Sequence, residues 1–408
     1  MQLTDFLKRQ DRKEKASFHM PGHKGRAFFE RAGYGDLMEK LVRCDITEIP
    51  GADDLRDAQG AIREICGRYA DLYGSRRSFL SVNGSSAAIM AAVRTFVRPG
   101  RKLLAPVNCH VSVEGGARLA GAKLVSVTPD DLPGVSCTVP GSAAEPDGAG
   151  NGLGPVPPEK IEEALERDDA IDAVLITHPN YLGVMSDVEK IAELTHARGK
   201  TLIVDQAHGA HLKFFDSAFA ARGSSYAETV AAPGKGEHTA AEDLGADLVI
   251  DSTHKTLASF TQSSVANVMT EAVDAEKYEQ ELLLLESTSP SYLLMTSLAV
   301  NAEILYEQGT DLIRDWIMAV ADFRELYSSF AEQKETALKL LDIGGCDISK
   351  IVLSTEGTGK TAEEAGDALM EEGIWPEFAS GNTVLLMTGI GTAEEDFDLL
   401  VEALAKIA

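Results

Sequence analysis

Asp247-Leu248-Val249-Ile250-Asp251-Ser252-Thr253-His254-Lys255-Thr256 sets an apolar run of strand length directly against a short polar turn that carries a lysine. Such a run, without polar alternation, fits a strand covered on both faces, as in a parallel sheet. The same pattern recurs at 78–82, 102–107, 123–127, 172–177, 201–205 and 263–269, with amphipathic stretches of helical length between, such as 87–96 and 188–198. Alternating strands and helices predict an α/β protein built on one large, mostly parallel sheet of seven strands. Ligands of open α/β sheets bind beyond the carboxyl ends of the strands, which is where Lys255 falls.

The sequence has 408 residues, 44% of them apolar, enough for a large conventional core in two or three domains. Lys plus Arg number 38 against 64 Asp plus Glu, a net charge of −26. That field opposes nucleic acid, which needs a concentrated cationic face, and suits a cationic small molecule. Cys44, Cys66, Cys109, Cys137 and Cys346 are scattered with no CxxC pair, so free thiols in a reducing compartment are expected, and no metal site. The amino-terminal stretch is charged where a secretory leader would be apolar, and no segment reaches the ~18 apolar residues of a membrane span; a cytoplasmic protein is expected.

Along the chain the expected division is an amino-terminal segment, 1–45, contributing to the active site, and a large domain, 46–285. Connecting helices follow at 286–345, then a small carboxy-terminal α/β domain at 346–408. Residues 129–158 are rich in Gly, Pro, Ala and Ser and read as a mobile surface loop, as do residues 222–242. Gly357-Thr358-Gly359-Lys360-Thr361 lacks the first glycine of a phosphate-binding P-loop, where Ser354 stands, and reads as a strand-turn-helix joint. His19 and His23 fail as a helical metal pair because Pro21 and Gly22 interrupt them.

Several strand ends carry residues with chemical potential. The amine of Lys255 can form a Schiff base with a carbonyl cofactor. Asp205 ends the strand 201–205 and can hold a pyridine nitrogen protonated. Asn83-Gly84-Ser85-Ser86 opens a helix and offers backbone N–H groups and hydroxyls to a phosphate dianion. His110 can stack on an aromatic ring, and Thr177 can offer a hydroxyl to a phenolate. Each alone has a plainer reading as a surface lysine, a capping carboxylate or serine, or a polar group of the sheet rim, as do His208 and His211. Together they describe one ligand, pyridoxal 5'-phosphate.

Phe18-His-Met-Pro-Gly-His-Lys-Gly25, Asp45-Ile-Thr-Glu48, Gly51-Ala-Asp-Asp-Leu55, Asn83-Gly-Ser-Ser86, Asp205-Gln-Ala-His-Gly-Ala-His211, Ser252-Thr-His-Lys-Thr-Leu257 and Ser287-Thr-Ser-Pro-Ser-Tyr-Leu-Leu-Met295 carry a resemblance. Across roughly residues 15–300 the chain resembles the Orn/Lys/Arg decarboxylases, fold type I pyridoxal phosphate enzymes, in a short form without an amino-terminal extra domain. The resemblance implies Lys255 as the cofactor-bearing lysine, Asp205 as partner of the ring nitrogen, His110 against one ring face and Ala207 against the other. It implies Ser85, Ser252 and His254 at the phosphate, and a homodimer or larger assembly in which Ser289 of the partner subunit reaches that phosphate. The implied reaction is decarboxylation of ornithine, lysine or arginine in polyamine metabolism, with His208 as a positioning group and Glu377 as a candidate partner for the substrate's distal cation. The chain departs from the family pattern at Val111, His178, Asn180, Leu182 and Gln206, the last standing where Glu is usual. Transamination, β-elimination, or a catalytically silent regulatory homologue are the rival readings.

Overall fold

Thirteen strands form in the computed structural model, which describes residues 3–4, 13–49, 51–142, 150–234, 236–334 and 338–407. In chain order they are β1 (Ala16–Phe18), β2 (Arg77–Ser81), β3 (Lys102–Pro106), β4 (Lys123–Val127), β5 (Ile171–Thr177), β6 (Thr201–Asp205), β7 (Leu248–Asp251), β8 (Ser264–Val268), β9 (Lys339–Leu340), β10 (Lys350–Ser354), β11 (Ile374–Pro376), β12 (Phe378–Ser380) and β13 (Thr383–Met387). The large sheet runs β2-β8-β7-β6-β5-β3-β4, and each of its strands lies within one residue of the bounds expected from the sequence. Only β8 runs antiparallel to its neighbours β2 and β7. Alternate side chains face opposite ways along each strand. Leu103, Leu175, Ile203 and Ile250 pack with the helices Gly84–Phe96 and Ala275–Leu285. Leu104, Ile176, Leu202 and Val249 pack with Pro158–Arg167 and Val188–Ala197 on the other face. Both faces are thus buried, which is why the strands read as unbroken apolar runs.

A second sheet, ordered β12-β13-β10-β9, is antiparallel, and β11 pairs in parallel with β1 near the start of the chain. One helix of 43 residues, Tyr292–Lys334, follows the large sheet. Its Val300, Ile304, Ile313, Trp316, Val320, Phe323 and Tyr327 recur at helical spacing and enter a core shared with Phe215 and Leu257 on one side and Ile351 and Leu400 on the other. At the joint that resembled a P-loop, Thr361 caps the helix Ala362–Glu372 in a reciprocal capping box with Glu364. All five cysteines are free. No helix among the described residues is long and apolar enough to cross a membrane.

Two expectations need correction. The described parts of 129–158 are not a loose surface loop: Leu132, Val135, Leu153 and Val156 are buried. Asn151 pins the segment by donating to the carbonyls of Leu132 and Val135, each at 2.8 Å, and Ser136 N donates to Asn382 Oδ1 of the second sheet at 2.7 Å. Residues 143–149 lie outside the described residues. In 222–242, Tyr226 and Ala240–Glu242 are likewise buried, and Lys235 is outside the described residues. Small residues and turns suit close backbone packing as well as mobility, and composition alone does not separate the two.

Candidate active site

The register of the sheet brings the reactive residues together. Asp205, the last residue of β6, pairs with Ile250 of β7, so the acid and the turn that follows β7 leave adjacent strands at the same edge. In that turn Lys255 Nζ lies 2.9 Å from His208 Nε2. Burial pushes the Lys255 amine down to about 8, Asp205 pulling the other way and the buried Lys350 adding to the depression. Burial also drives His208 well below its ordinary value, so its ring is neutral and Nε2 can accept from the lysine. Asp205 is buried too, which raises its carboxyl, while Lys255 and His110 oppose the rise. Its Oδ1 accepts from Ala207 N at 3.1 Å.

At one end of the cleft the helix Gly84–Phe96 presents its amino terminus. Gly84 takes φ +79°, a left-handed conformation that other residues adopt only under strain. The two motifs placed at the phosphate touch directly: Ser252 Oγ donates to Ser85 Oγ at 2.9 Å across 167 residues of sequence. His254 Nδ1 sits 2.8 Å from the Ser263 carbonyl, and burial lowers its ring to about 4.

The turn is braced from behind. Gly22 N donates to the His254 carbonyl at 2.8 Å, and a Cβ on Gly22 would lie 2.5 Å from the Thr256 carbonyl carbon. That contact explains physically why a glycine stands in His19-Met-Pro-Gly-His23.

His110 caps the helix Val111–Ala120, with Nδ1 accepting from Ser112 N at 3.2 Å, so its ring is fixed at the cleft wall. Tyr181 lays its ring 4.5 Å from that of His208 and donates its hydroxyl to Glu377 Oε1 at 2.6 Å. Asn180 Oδ1 accepts from the backbone N–H of Leu182 and of Val184, both at 3.0 Å, and Leu182 is buried among the apolar side chains of the second sheet. His178 is buried as well, bonded to the Thr239 carbonyl at 2.8 Å and to Ser186 N at 3.1 Å. These departures from the family pattern therefore organise the loop that carries Tyr181.

The cleft encloses about 410 Å³ and is lined by Gly84, Ser85, Ser86, His110, Thr177, Asp205, Ala207, His208, His254 and Lys255. Ser252 adjoins it through Ser85. Glu377 is the exception. It is not on the wall: one oxygen accepts from the Tyr181 hydroxyl at 2.6 Å and the other from Met20 N at 2.9 Å. Ser289 is exposed and outside this cleft. His211 is buried beside Asp347, 3.0 Å from its Oδ2, away from the lining.

Sequence reasoning missed the walls made by Val139, Pro140, Leu153 and Val156, which composition assigned to a loop, and Gln262, which lines the cleft at φ +81°. It named Tyr181 without seeing that its ring covers His208; an aromatic residue just beyond a strand end was the available signal.

Pyridoxal phosphate fits these residues. A helix amino terminus with two serines suits its phosphate, a buried acid its ring nitrogen and a buried amine its aldehyde. Thr177 Oγ1 and His208 Nδ1 are buried on the lining with no hydrogen-bond partner among the described residues, as polar atoms reserved for a ligand would be. The comparisons agree. The chain is 30% identical over 400 residues to an arginine decarboxylase of Halalkalibacterium halodurans, covering 96% of this chain and 74% of that protein. It is 28% identical over 412 residues to an arginine decarboxylase of Bacillus subtilis, covering 100% and 77%. Among solved structures, lysine decarboxylase A from Pseudomonas aeruginosa superposes with a TM-score of 0.72 at 20% identity, covering 98% of this chain but 59% of that one, less than two thirds of its length. The family described as Orn/Lys/Arg decarboxylase, major domain, matches residues 2–343. The chain belongs to the Orn/Lys/Arg decarboxylase family of pyridoxal phosphate-dependent fold type I enzymes.

Proposed function

We propose that the protein removes CO2 from the α-carboxylate of a basic L-amino acid (ornithine, lysine or arginine) to give the corresponding amine. The observation that carries this reading is the Lys255 amine, buried against neutral His208 in the cleft that Asp205 also lines. When bound, pyridoxal phosphate supplies an electron sink for the pair left at Cα as CO2 departs. Asp205 keeps a proton on the ring nitrogen, which maintains that sink. Lys255, with its amine depressed to about 8, is partly neutral near pH 7 and serves first as nucleophile and then, released, as a proton donor near Cα. His208 Nε2 orients the lysine, and the Tyr181 ring holds His208 in place. Gly84, Ser85, Ser86, Ser252 and His254 would hold the cofactor's phosphate, Thr177 would offer a hydroxyl to its phenolate, and His110 and Ala207 would supply the walls for its ring. The acidic net charge and the relatives' substrates support a cationic amino acid. A homodimer, with Ser289 of the partner subunit completing the phosphate site, accords with the exposure of Ser287–Ser289 outside their own subunit's cleft.

The test is incubation of purified, cofactor-loaded enzyme with ornithine, lysine and arginine while CO2 and amine are measured. Release of CO2 with a diamine or agmatine supports the reading; a keto acid product points to transamination instead. Lys255→Ala should abolish turnover and the absorbance of the lysine-bound cofactor, and full activity of that variant refutes the mechanism.

A further inference from the structure

Directly behind Asp205 and Lys255 lie two carboxyl groups that the mechanism does not use. Asp251 ends β7, one residue before Ser252, and is fully buried. Glu242, in the short helix Ala241–Asp243, is 7% exposed. The Gln206 side chain, next to Asp205 at the end of β6, joins them. Its Nε2 lies 3.1 and 2.9 Å from the two oxygens of Glu242 and 3.0 Å from Asp251 Oδ1. The orientation of this amide is fixed, because its Oε1 accepts from Ala241 N at 2.8 Å. Asp251 Oδ2 accepts from Asn267 Nδ2 at 2.9 Å, and Asn267 Oδ1 in turn accepts from Ser78 Oγ at 2.6 Å.

No cation is bonded to either carboxyl among the described residues. Lys213, whose charge acts on Glu242, is taken up by Asp243 at 2.6 and 2.7 Å, and Tyr73, also nearby, donates its hydroxyl to the Ala210 carbonyl at 2.8 Å. Two adjoining buried carboxylates without a cation cannot both be ionised at moderate cost. We infer that Glu242 and Asp251 share one proton and, with the Gln206 amide, form a positioning clamp that holds the ends of β6 and β7, and hence Asp205 and Lys255, at their working separation. The roles of Asp205 and Lys255 rest on the function proposed above; the clamp itself does not. Burial raises Glu242 to about 7 and raises Asp251 well above the ordinary carboxylate range. The clamp also explains Gln206. With two carboxyls already present, the third position must donate hydrogen bonds, and the usual Glu would add a further charge.

The direct test needs neither substrate nor turnover. The folded pair retains a proton that the unfolded chain releases in the ordinary carboxylate range, so its contribution to stability is complete at low pH and is lost as pH rises through the folded values. Thermal melts of the unliganded protein should fall from pH 6 to 8, and infrared spectra at neutral pH should show a protonated carboxylic acid. Asp251→Asn removes the need for the shared proton and should flatten that slope and remove the acid band; Glu242→Gln is the second variant should the first fold poorly. Gln206→Glu should lower the melt and weaken cofactor binding by roughly tenfold at pH 8, and Gln206→Glu/Asp251→Asn should restore most of both. In the loaded enzyme, Asp251→Asn should move the alkaline limb of kcat/KM upward by about one pH unit. A slope and acid band unchanged in Asp251→Asn, or a Gln206→Glu variant that binds cofactor like the parent at pH 8, overturns the clamp. Melts that behave as expected in a protein that decarboxylates none of the three amino acids would leave the clamp standing and remove the proposed reaction.

Discussion

Gly22→Ala places one methyl group where the chain has no room, although Gly22 is distant in sequence from every residue lining the cleft. A Cβ there would lie 2.5 Å from the Thr256 carbonyl carbon and 2.6 Å from the Leu257 carbonyl oxygen, both backbone atoms that no rotamer change can move. Retreat is blocked as well, because Gly389 is so close that its own Cβ would come within 2.6 Å of the Gly22 Cα. Restoring ordinary contact requires a backbone shift of about 1 Å, and a misplacement of that size at a reacting group costs on the order of 10²-fold. The shift falls on the residue after Lys255, so the lysine moves relative to Asp205 and His208. Overpacking of this kind also costs about 1–3 kcal/mol of stability. The expected result is a fall of a few degrees in melting temperature and roughly a hundredfold loss in CO2 release. Gly67→Ala is the control: it sits inside the helix Ala61–Tyr73 with nothing near its Cβ, and should stabilise by about 0.5–1 kcal/mol. If Gly22→Ala melts and turns over like the parent, the bracing argument is wrong.

Asp205→Asn should retain some cofactor but lose most of kcat, because a neutral ring is a poor sink; a near-normal rate, read by CO2 release, contradicts the assignment. Tyr181→Phe keeps the ring beside His208 but leaves Glu377 Oε1 without its donor, so stability should drop by about 1–3 kcal/mol with kcat/KM affected less than in Tyr181→Ala. Equal kinetic losses in the two variants would show that the hydroxyl, not the ring, matters. Asp172 accepts from Arg98 and Arg101, whose hydrogen bonds outweigh burial and hold its carboxyl well below the usual range. Its contribution is present above the ordinary carboxylate pKa and is lost as pH falls through the depressed value. Asp172→Asn should therefore lower stability by about 1–2 kcal/mol at pH 7 and flatten the acid side of a melting-temperature profile, and an unchanged acid slope would count against this.

The large sheet was legible because strands buried on both faces leave a local mark, an unbroken apolar run such as Leu248–Asp251. The residues at their ends were legible for a related reason: Asp205, Thr177 and Lys255 each follow such a run closely, and topology alone delivers them to one edge. What lay hidden depends on partners far away in sequence. Nothing local in 129–158 says that Leu153 and Val156 line the cleft, and nothing near Glu377 announces the Tyr181 hydroxyl that claims it. Gln206 read as a deviation from a pattern until Glu242 and Asp251 were found beside it.

Pairing of β1 with β11 ties a strand near the start of the sequence to one made roughly 350 residues later. On the ribosome that gap corresponds to about 20–70 s. Throughout that interval Gly22 and its neighbours are without Gly389 and Gly391, which enclose them on the side away from the Thr256 turn. A nascent polypeptide that stops short of Ile374 would possess every strand of the large sheet, the lysine and Gly22, yet lack the residues that press Gly22 against the lysine's turn. A chain truncated before Ile374 should therefore hold the lysine's turn less firmly than the longer chain does.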